Sequence, residues 1–207
     1  MKISVLGASG RTGILVVDEL LRRGHKVNGL AYKKPENYNG EVNWIEGDAT
    51  KSEDLKKCLE GADGVISTLG HTRQTKTQIQ TDSMKALVNL LANTNTPIIS
   101  MTGTGVRQIG DKPSLIDRFL NLGISIVDPA RVQDGIDHAR VLKESNLNWK
   151  ILRVLKLANG NKVQDIKLTT GGPAKKLINR VTVAKLLVDL AENSEWNHLM
   201  PVASKVK

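Results

Sequence analysis

The sequence predicts a doubly wound α/β domain, a parallel sheet with helices on both faces and a small C-terminal elaboration. Three observations predict it. Short apolar runs alternate with amphipathic stretches along the chain, the rhythm of repeated strand–helix–strand units. The first run, Lys2–Leu6, turns through glycines at 7, 10 and 13 directly into the helical pattern Ile14–Leu21. At 207 residues, with no internal repeat, linker or low-complexity block, the chain suits one core. Residues 1–207 are therefore taken as a single Rossmann-type domain, with 156–207 contributing the elaboration on the substrate side.

The elements follow in order. Gly24-His25 ends the first helix, and Lys26–Ala31 is the second strand. A polar turn over 33–40 leads to a third strand at Val42–Ile45, then Gly47-Asp48 and a polar helix over Ser52–Leu59. Gly61-Ala62-Asp63 breaks that helix before the apolar strand Gly64–Leu69. A long helix is expected from Thr77 to Ala92, with Met84, Leu87, Val88 and Leu91 recurring at three- and four-residue spacing. Pro97–Met101 is the fifth strand. Beyond it a short helix is expected over Ser114–Leu120, and Ile124–Val127 reads either as a brief strand or as the buried end of a loop. A helix over Gln133–Glu144 leads to the strand Trp149–Val154. The tail holds a strand-like stretch at Lys162–Thr169, a turn at Gly171-Gly172-Pro173, and a helix with Val183, Leu186, Leu187 and Leu190 on one face. Leu199–Val202 closes the chain.

The glycine turn is where chemistry enters. Gly7 permits a tight turn, Gly10 lets backbone approach a pyrophosphate, and Gly13 lets helix and strand pack closely. The helix N-terminus offers unpaired N–H groups and a positive dipole end to an anion. The spacing is G-x-x-G-x-x-G, not the commoner G-x-G-x-x-G, and has a purely structural reading as a turn; its position between strand and helix favours a dinucleotide site.

Composition narrows the partners. Hydrophobic residues at 40% and charged residues at 25% are ordinary for a globular protein, but the net charge of +9 is not. It suits a phosphorylated ligand, against the plainer reading of a solvated basic surface. Aromatics at 3% argue against a base-stacking surface, so nucleic acid is not an expected partner. No apolar run is long enough to cross a membrane, and Met1-Lys2-Ile3 leads into a strand. The single cysteine, Cys58, fits a reducing cytoplasm. No residues are assigned to a metal, and a monomer or homodimer is expected.

Ligands of such folds sit beyond the carboxyl ends of the strands. After the second strand the chain reads Ala31-Tyr32-Lys33-Lys34, without the acid that would hold ribose hydroxyls of NAD. Lys33 and Lys34 either pair with an adenosine 2′-phosphate, as Arg11 can, or form a solvated turn; the absent acid is the firmer reason that NADP is favoured over NAD. After the third strand, Asp48 can accept from an adenine amino group or cap the following helix. After the fourth, Thr68-Leu69-Gly70 passes beside the cofactor, and His71 is either an acid or an exposed loop histidine. Cofactor contacts are assigned to Gly7, Ser9, Gly10, Arg11, Thr12, Gly13, Lys33, Lys34, Asp48, Ala49, Thr68, Leu69 and Gly70.

The whole chain resembles an atypical short-chain dehydrogenase/reductase of the NAD(P)H-binding, NmrA-like group. The resemblance rests on Val5–Gly13, Glu46–Ala49, Gly61–Ser67 and Val141–Arg153. The last of these, with Ile178–Ala184, is similar to small flavin reductases that also reduce biliverdin. The resemblance implies the fold and an NAD(P)H cofactor. It does not imply a substrate.

Departures from that pattern bear on mechanism. The superfamily's main branch protonates substrate through Tyr-x-x-x-Lys one helix after the serine-bearing strand. Here the only tyrosines are Tyr32 and Tyr38, and Arg131–Arg140 contains none. The serine or threonine of the fifth strand survives as Ser100 or Thr102. Where relatives carry Arg-Pro, this chain has Arg153-Val154, and Lys156 stands where the flavin-reductase type places a pocket histidine. Thr102 and Ser100 are thus the candidates to hydrogen-bond an acceptor, and Lys156 the candidate to stabilise developing negative charge. Each also has a plain structural reading, local hydrogen bonding for the hydroxyls and an exposed strand end for the lysine. His138 is expected on the helix surface.

Two functions fit. One is NADPH-dependent hydride transfer to a small planar or carbonyl acceptor such as a flavin or quinone. The other is a non-catalytic NADP-binding sensor that engages a protein or nucleic-acid partner. A sugar-nucleotide epimerase fits less well, since it depends on the absent tyrosine.

Overall fold

A computed structural model describes residues 1–71 and 78–205 of the chain. In chain order the elements are β1 (Lys2–Leu6), α1 (Gly13–Arg22), β2 (Lys26–Ala31), β3 (Val42–Glu46), α2 (Ser52–Leu59), β4 (Gly64–Ser67) and α3 (Ile79–Leu91). There follow β5 (Ile98–Gly103), α4 (Leu115–Val127), α5 (Pro129–Glu144), β6 (Trp149–Val154), β7 (Leu157–Ala158), β8 (Ile166–Thr169), β9 (Ile178–Asn179), α6 (Arg180–Glu192) and β10 (Val202–Lys205).

Eight strands form one sheet in the order β3-β2-β1-β4-β5-β6-β10-β8, parallel except at β8, which runs antiparallel to β10. β7 and β9 pair separately. The chain leaves β1 toward β2 on one side and returns to β4 on the other, so the switch point lies between β1 and β4. The register aligns Leu6 with Ser67 and Ser67 with Ser100, which sets the floor of the crevice.

Both sheet faces are buried, which is why the strands read as nearly continuous apolar runs. Val5, Ile66, Ile99 and Leu152 pack under α1 and α6. Leu6, Val65, Ile98 and Ile151 pack under α2, α3 and α5. Alternation along β5 therefore turns Ile98, Ser100 and Thr102 toward α5.

Two buried cations tie the C-terminal part to this frame. Lys150 on β6 sends its ammonium to the carbonyls of Leu190 and Asn193, where α6 runs out of internal donors. Arg153, also on β6, places all five guanidinium protons. Nε donates to Met200, Nη1 to Val106 and Asp111, and Nη2 to Asp111 and Thr170.

The structure revises several boundaries. Ile124–Val127 is helical: α4 continues unbroken to Val127. Its β-branched residues suggested a strand, but Ser114 caps the helix by accepting from the Asp117 N–H, and Asp117 and Asn121 give it an inward polar face. α5 begins at Pro129, ahead of the expected Gln133, because Asp128 caps it and proline is pre-set for the first helical turn. β4 ends at Ser67, β5 extends to Gly103, and only Ile166–Thr169 of the expected 162–169 stretch is strand. A last strand, not assigned from the sequence pattern, covers Val202–Lys205. Thr77, the expected start of the third helix, lies outside the described residues.

Candidate functional site

The glycine loop is built by close approach. Gly7 adopts φ +72°, a left-handed conformation that side chains disfavour. A Cβ on Gly13 would lie 2.0 Å from the Gly7 carbonyl oxygen, so only glycine lets α1 start that near β1. A Cβ on Gly10 would meet only that same oxygen, at 3.1 Å. The Thr68 hydroxyl donates to the carbonyls of Leu6 (2.9 Å) and Gly7 (3.2 Å), bracing the loop from β4.

Thr12 occupies the N-cap of α1 without a side-chain cap bond. Among the described residues no group accepts from the N–H of Arg11, Thr12 or Gly13. These donors, at the positive end of a helix, fit a phosphate. Arg11 is exposed beside them. Arg180, the first residue of α6, lies close enough that its pKa is lowered by burial and then by the Arg11 charge. Two cations therefore sit together near the bare helix end.

At the ends of β2 and β3 the cast is more dispersed. Lys33 is exposed and pairs with Glu36 at 2.7 Å, a contact between solvated groups that contributes little. The Lys34 N–H donates to Glu46. Asp48 closes a local turn: its Oδ1 accepts from the N–H (2.9 Å) and hydroxyl (2.8 Å) of Thr50, while α2 is headed by Lys51. Ala49 is turned into the core. Ser9 is exposed in the glycine loop, Leu69 packs beside Gly7, and a Cβ on Gly70 would meet nothing.

At the ends of β4 and β5 a polar network fills the space where a Tyr-x-x-x-Lys helix is expected. Asp134 and His138 lie one turn apart on α5, Asp134 against the start of α3 and His138 against β5. Asp134 is fully buried and accepts from the Thr81 N–H (2.9 Å), the Thr81 hydroxyl (2.7 Å) and the Gln80 N–H (3.1 Å). Burial pushes its pKa up, but these bonds, with one from His71, bring it below the ordinary carboxylate value. His71 Nε2 lies 2.8 Å from Asp134 Oδ2. An ionised carboxylate only accepts, so Nε2 carries the proton there. Sequence reasoning passed over Asp134. Its one sequence signal is the i,i+4 spacing to His138, on the helix that lacks the tyrosine.

His138 is buried, not on the helix surface as expected. Its Nε2 lies 2.9 Å from the Ser100 hydroxyl, and burial pushes its pKa down to about 4. The ring is therefore neutral and the Ser100 hydroxyl is engaged inside the protein. Thr102, two residues on, is buried with its hydroxyl beside Gly135, and no described residue hydrogen-bonds that hydroxyl. Gly135 leaves it room, since a Cβ there would come within 2.8 Å of Thr102 Oγ1. Lys156 is exposed just past β6, with its carbonyl accepting from Ile178. The structure thus gathers the glycine loop, Thr68–Gly70, His71 and Thr102 around the switch point. Ala49, Ser100 and Lys156 have other surroundings.

A glycine loop with free N–H groups at a topological switch point defines a dinucleotide-binding Rossmann protein. A family model described as NAD(P)H-binding matches residues 7–194, and the chain belongs to that family. An uncharacterized protein of Mycobacterium tuberculosis is 30% identical over 105 residues, covering 51% of this chain and 12% of that protein. An uncharacterized Saccharomyces cerevisiae protein is 32% identical over 114 residues, covering 50% of this chain and 38% of its own length. The chain thus spans well under half of these relatives. Among solved structures, an NADP complex of a short-chain dehydrogenase/reductase from Veillonella parvula superposes with TM-score 0.79 at 21% identity, covering 99% of this chain and 94% of that one. A Streptococcus pneumoniae protein assigned as an NADH-flavin reductase gives 0.77 at 22%, over 100% of both chains. The anaerobillin reductase of Escherichia coli O157:H7 gives 0.79 at 16%, over 100% and 99%. At these identities the likeness establishes the fold. No helix among the described residues is long and apolar enough to cross a membrane.

Proposed function

We propose that the chain is an NADPH-dependent reductase of a small planar or carbonyl acceptor. The observation that carries this reading is the conjunction, at one switch point, of α1 N–H groups and a Thr102 hydroxyl that no described residue engages with the His71–Asp134 pair. The N–H groups of Arg11, Thr12 and Gly13 hold the pyrophosphate, and Arg11 and Arg180 balance its charge. Lys33 and Lys34 favour the 2′-phosphate of NADP. The reduced nicotinamide supplies a hydride when bound.

The remaining roles belong to the protein. Thr102 donates a hydrogen bond to the acceptor oxygen and orients it. His71, held by Asp134 through Nε2–H, leaves its other ring nitrogen, Nδ1, to relay a solvent proton to the acceptor in place of the missing tyrosine. Ser100 and His138 hold β5 against α5 behind Thr102. The segment after β6 borders the acceptor side, and Lys156 takes no part. The reductases among the structural neighbours support this class of reaction, and the NADP complex supports the choice of cofactor.

The test is a fluorescence titration with NADPH and with NADH, followed by stopped-flow mixing of the NADPH complex with flavin, quinone and biliverdin. Tighter NADPH binding and oxidation by one acceptor are expected. Binding without turnover of any acceptor favours the NADP-binding sensor, and no binding of either dinucleotide overturns both.

A further inference from the structure

Helix α4 is inverted relative to an ordinary surface helix. Its polar side faces inward: Asp117 is buried, accepting from the Thr104 hydroxyl (2.6 Å) and from Arg107 (2.7 Å), while Asn121 reaches Thr104. Its apolar side faces out. Leu115, Ile116, Phe119, Leu122, Ile126 and Val127 are each between 56% and 83% exposed. Together they present on the order of 800 Å² of accessible surface, above the few hundred Å² that monomers usually leave uncovered.

We infer that this face is a homodimer interface, in which α4 packs against α4 of a second copy. Three features select that occupant. The area matches what one partner contributes to a standard interface, about 800 Å². Leu115, Phe119, Leu122 and Ile126 follow one another at spacings of four, three and four, the seam that lets two like helices interlock. The arc also contains no charged side chain and has Gly123 at its middle. Two copies each bearing +9 can approach most closely across such an uncharged strip. A two-fold axis across α4 makes the patch self-complementary, as an isologous contact requires. Because Asp117 holds Thr104, two residues beyond Thr102, covering α4 also steadies the loop at the end of β5.

Sedimentation velocity of the full chain across the micromolar range tests this directly. A concentration-dependent dimer is expected, with Phe119→Lys and Ile126→Glu each weakening self-association at least tenfold. Both substituted residues are exposed, so the far-ultraviolet circular dichroism spectrum should stay unchanged and show the variants to be folded. A wild-type chain that remains monomeric overturns the inference, as does a dimer indifferent to both substitutions. Flotation of the monomeric chain with anionic phospholipid vesicles, lost in Phe119→Lys, would also overturn it and assign the face to a membrane surface.

Discussion

Gly13 sits so close to Gly7 that a methyl group on it would overlap the Gly7 carbonyl, at 2.0 Å. Gly10, three residues earlier, has no such constraint from the protein beyond 3.1 Å from the same oxygen. The two glycines should therefore fail differently. Gly13→Ala should destabilise the fold by on the order of 3 kcal/mol, the upper range for overpacking. Gly10→Val should melt near the wild-type temperature and lose dinucleotide binding. Calorimetry alongside NADPH titration separates the two, and normal NADPH affinity in Gly10→Val would remove the loop as phosphate site.

Replacing Lys33 and Lys34 together by alanine should weaken NADPH binding about tenfold or more, the worth of one charge-assisted phosphate bond. NADH binding should change little. Equal losses would show that neither lysine senses the 2′-phosphate. Glu36→Gln, which frees Lys33 from its 2.7 Å partner, should move NADPH affinity in the opposite direction.

His71→Asn should lower the turnover of a proton-requiring acceptor roughly 100-fold while leaving NADPH affinity within a factor of two or three. Presteady-state kinetics can separate binding from reduction. Unchanged turnover would mean that the proton comes directly from solvent.

Stability should depend on pH through His138. Its pKa is about 4 in the fold, against the ordinary 6.5 of the unfolded chain. The unfolded state therefore binds the extra proton first. The stabilisation is complete above pH 6.5 and is lost as pH falls from 6.5 toward 4, by about 3 kcal/mol in all. Asp134, whose pKa is lowered, adds a second loss only below the ordinary carboxylate value of 3.8. Urea unfolding of His138→Gln should show a flatter profile between pH 4 and 6.5.

Arg153→Lys should destabilise the fold by about 3–5 kcal/mol, although the charge is kept. An ammonium cannot serve the Asp111 carboxylate and the carbonyls of Val106, Thr170 and Met200 from one planar fork. Denaturant melts measure this directly.

What the sequence revealed followed from periodicity and local chemistry. The alternation of strands and helices gave the sheet, and the glycines at 7, 10 and 13 marked its phosphate end. The helix α4 was half legible: Ser114 announced its start, but the β-branched Ile124 and Ile126 concealed its continuation, because the polar residues that anchor it bond to the distant Thr104 and Arg107. His138 was misplaced for a similar reason. A helix position faces inward or outward according to what lies above it, and Ser100 is 38 residues away. The i,i+4 spacing pairs Asp134 with His138 on one helix face, but what that face meets, α3 and the end of β4, is set by the tertiary fold. Long-range side-chain pairing, which no local spacing encodes, accounts for each of these differences.

Arg23, near the end of α1, meets Glu19, Asp189 and Glu192, and Glu192 also meets His25, so acids of α1 and α6 are neutralised at the base of the sheet. At the opposite pole Arg11 and Arg180 stand beside a bare helix terminus. Paired charges at one pole thus face two cations and a helix end that no described residue caps at the other. An approaching polyanion should be turned into register before contact, and its capture rate should fall steeply with added salt while its escape rate barely changes.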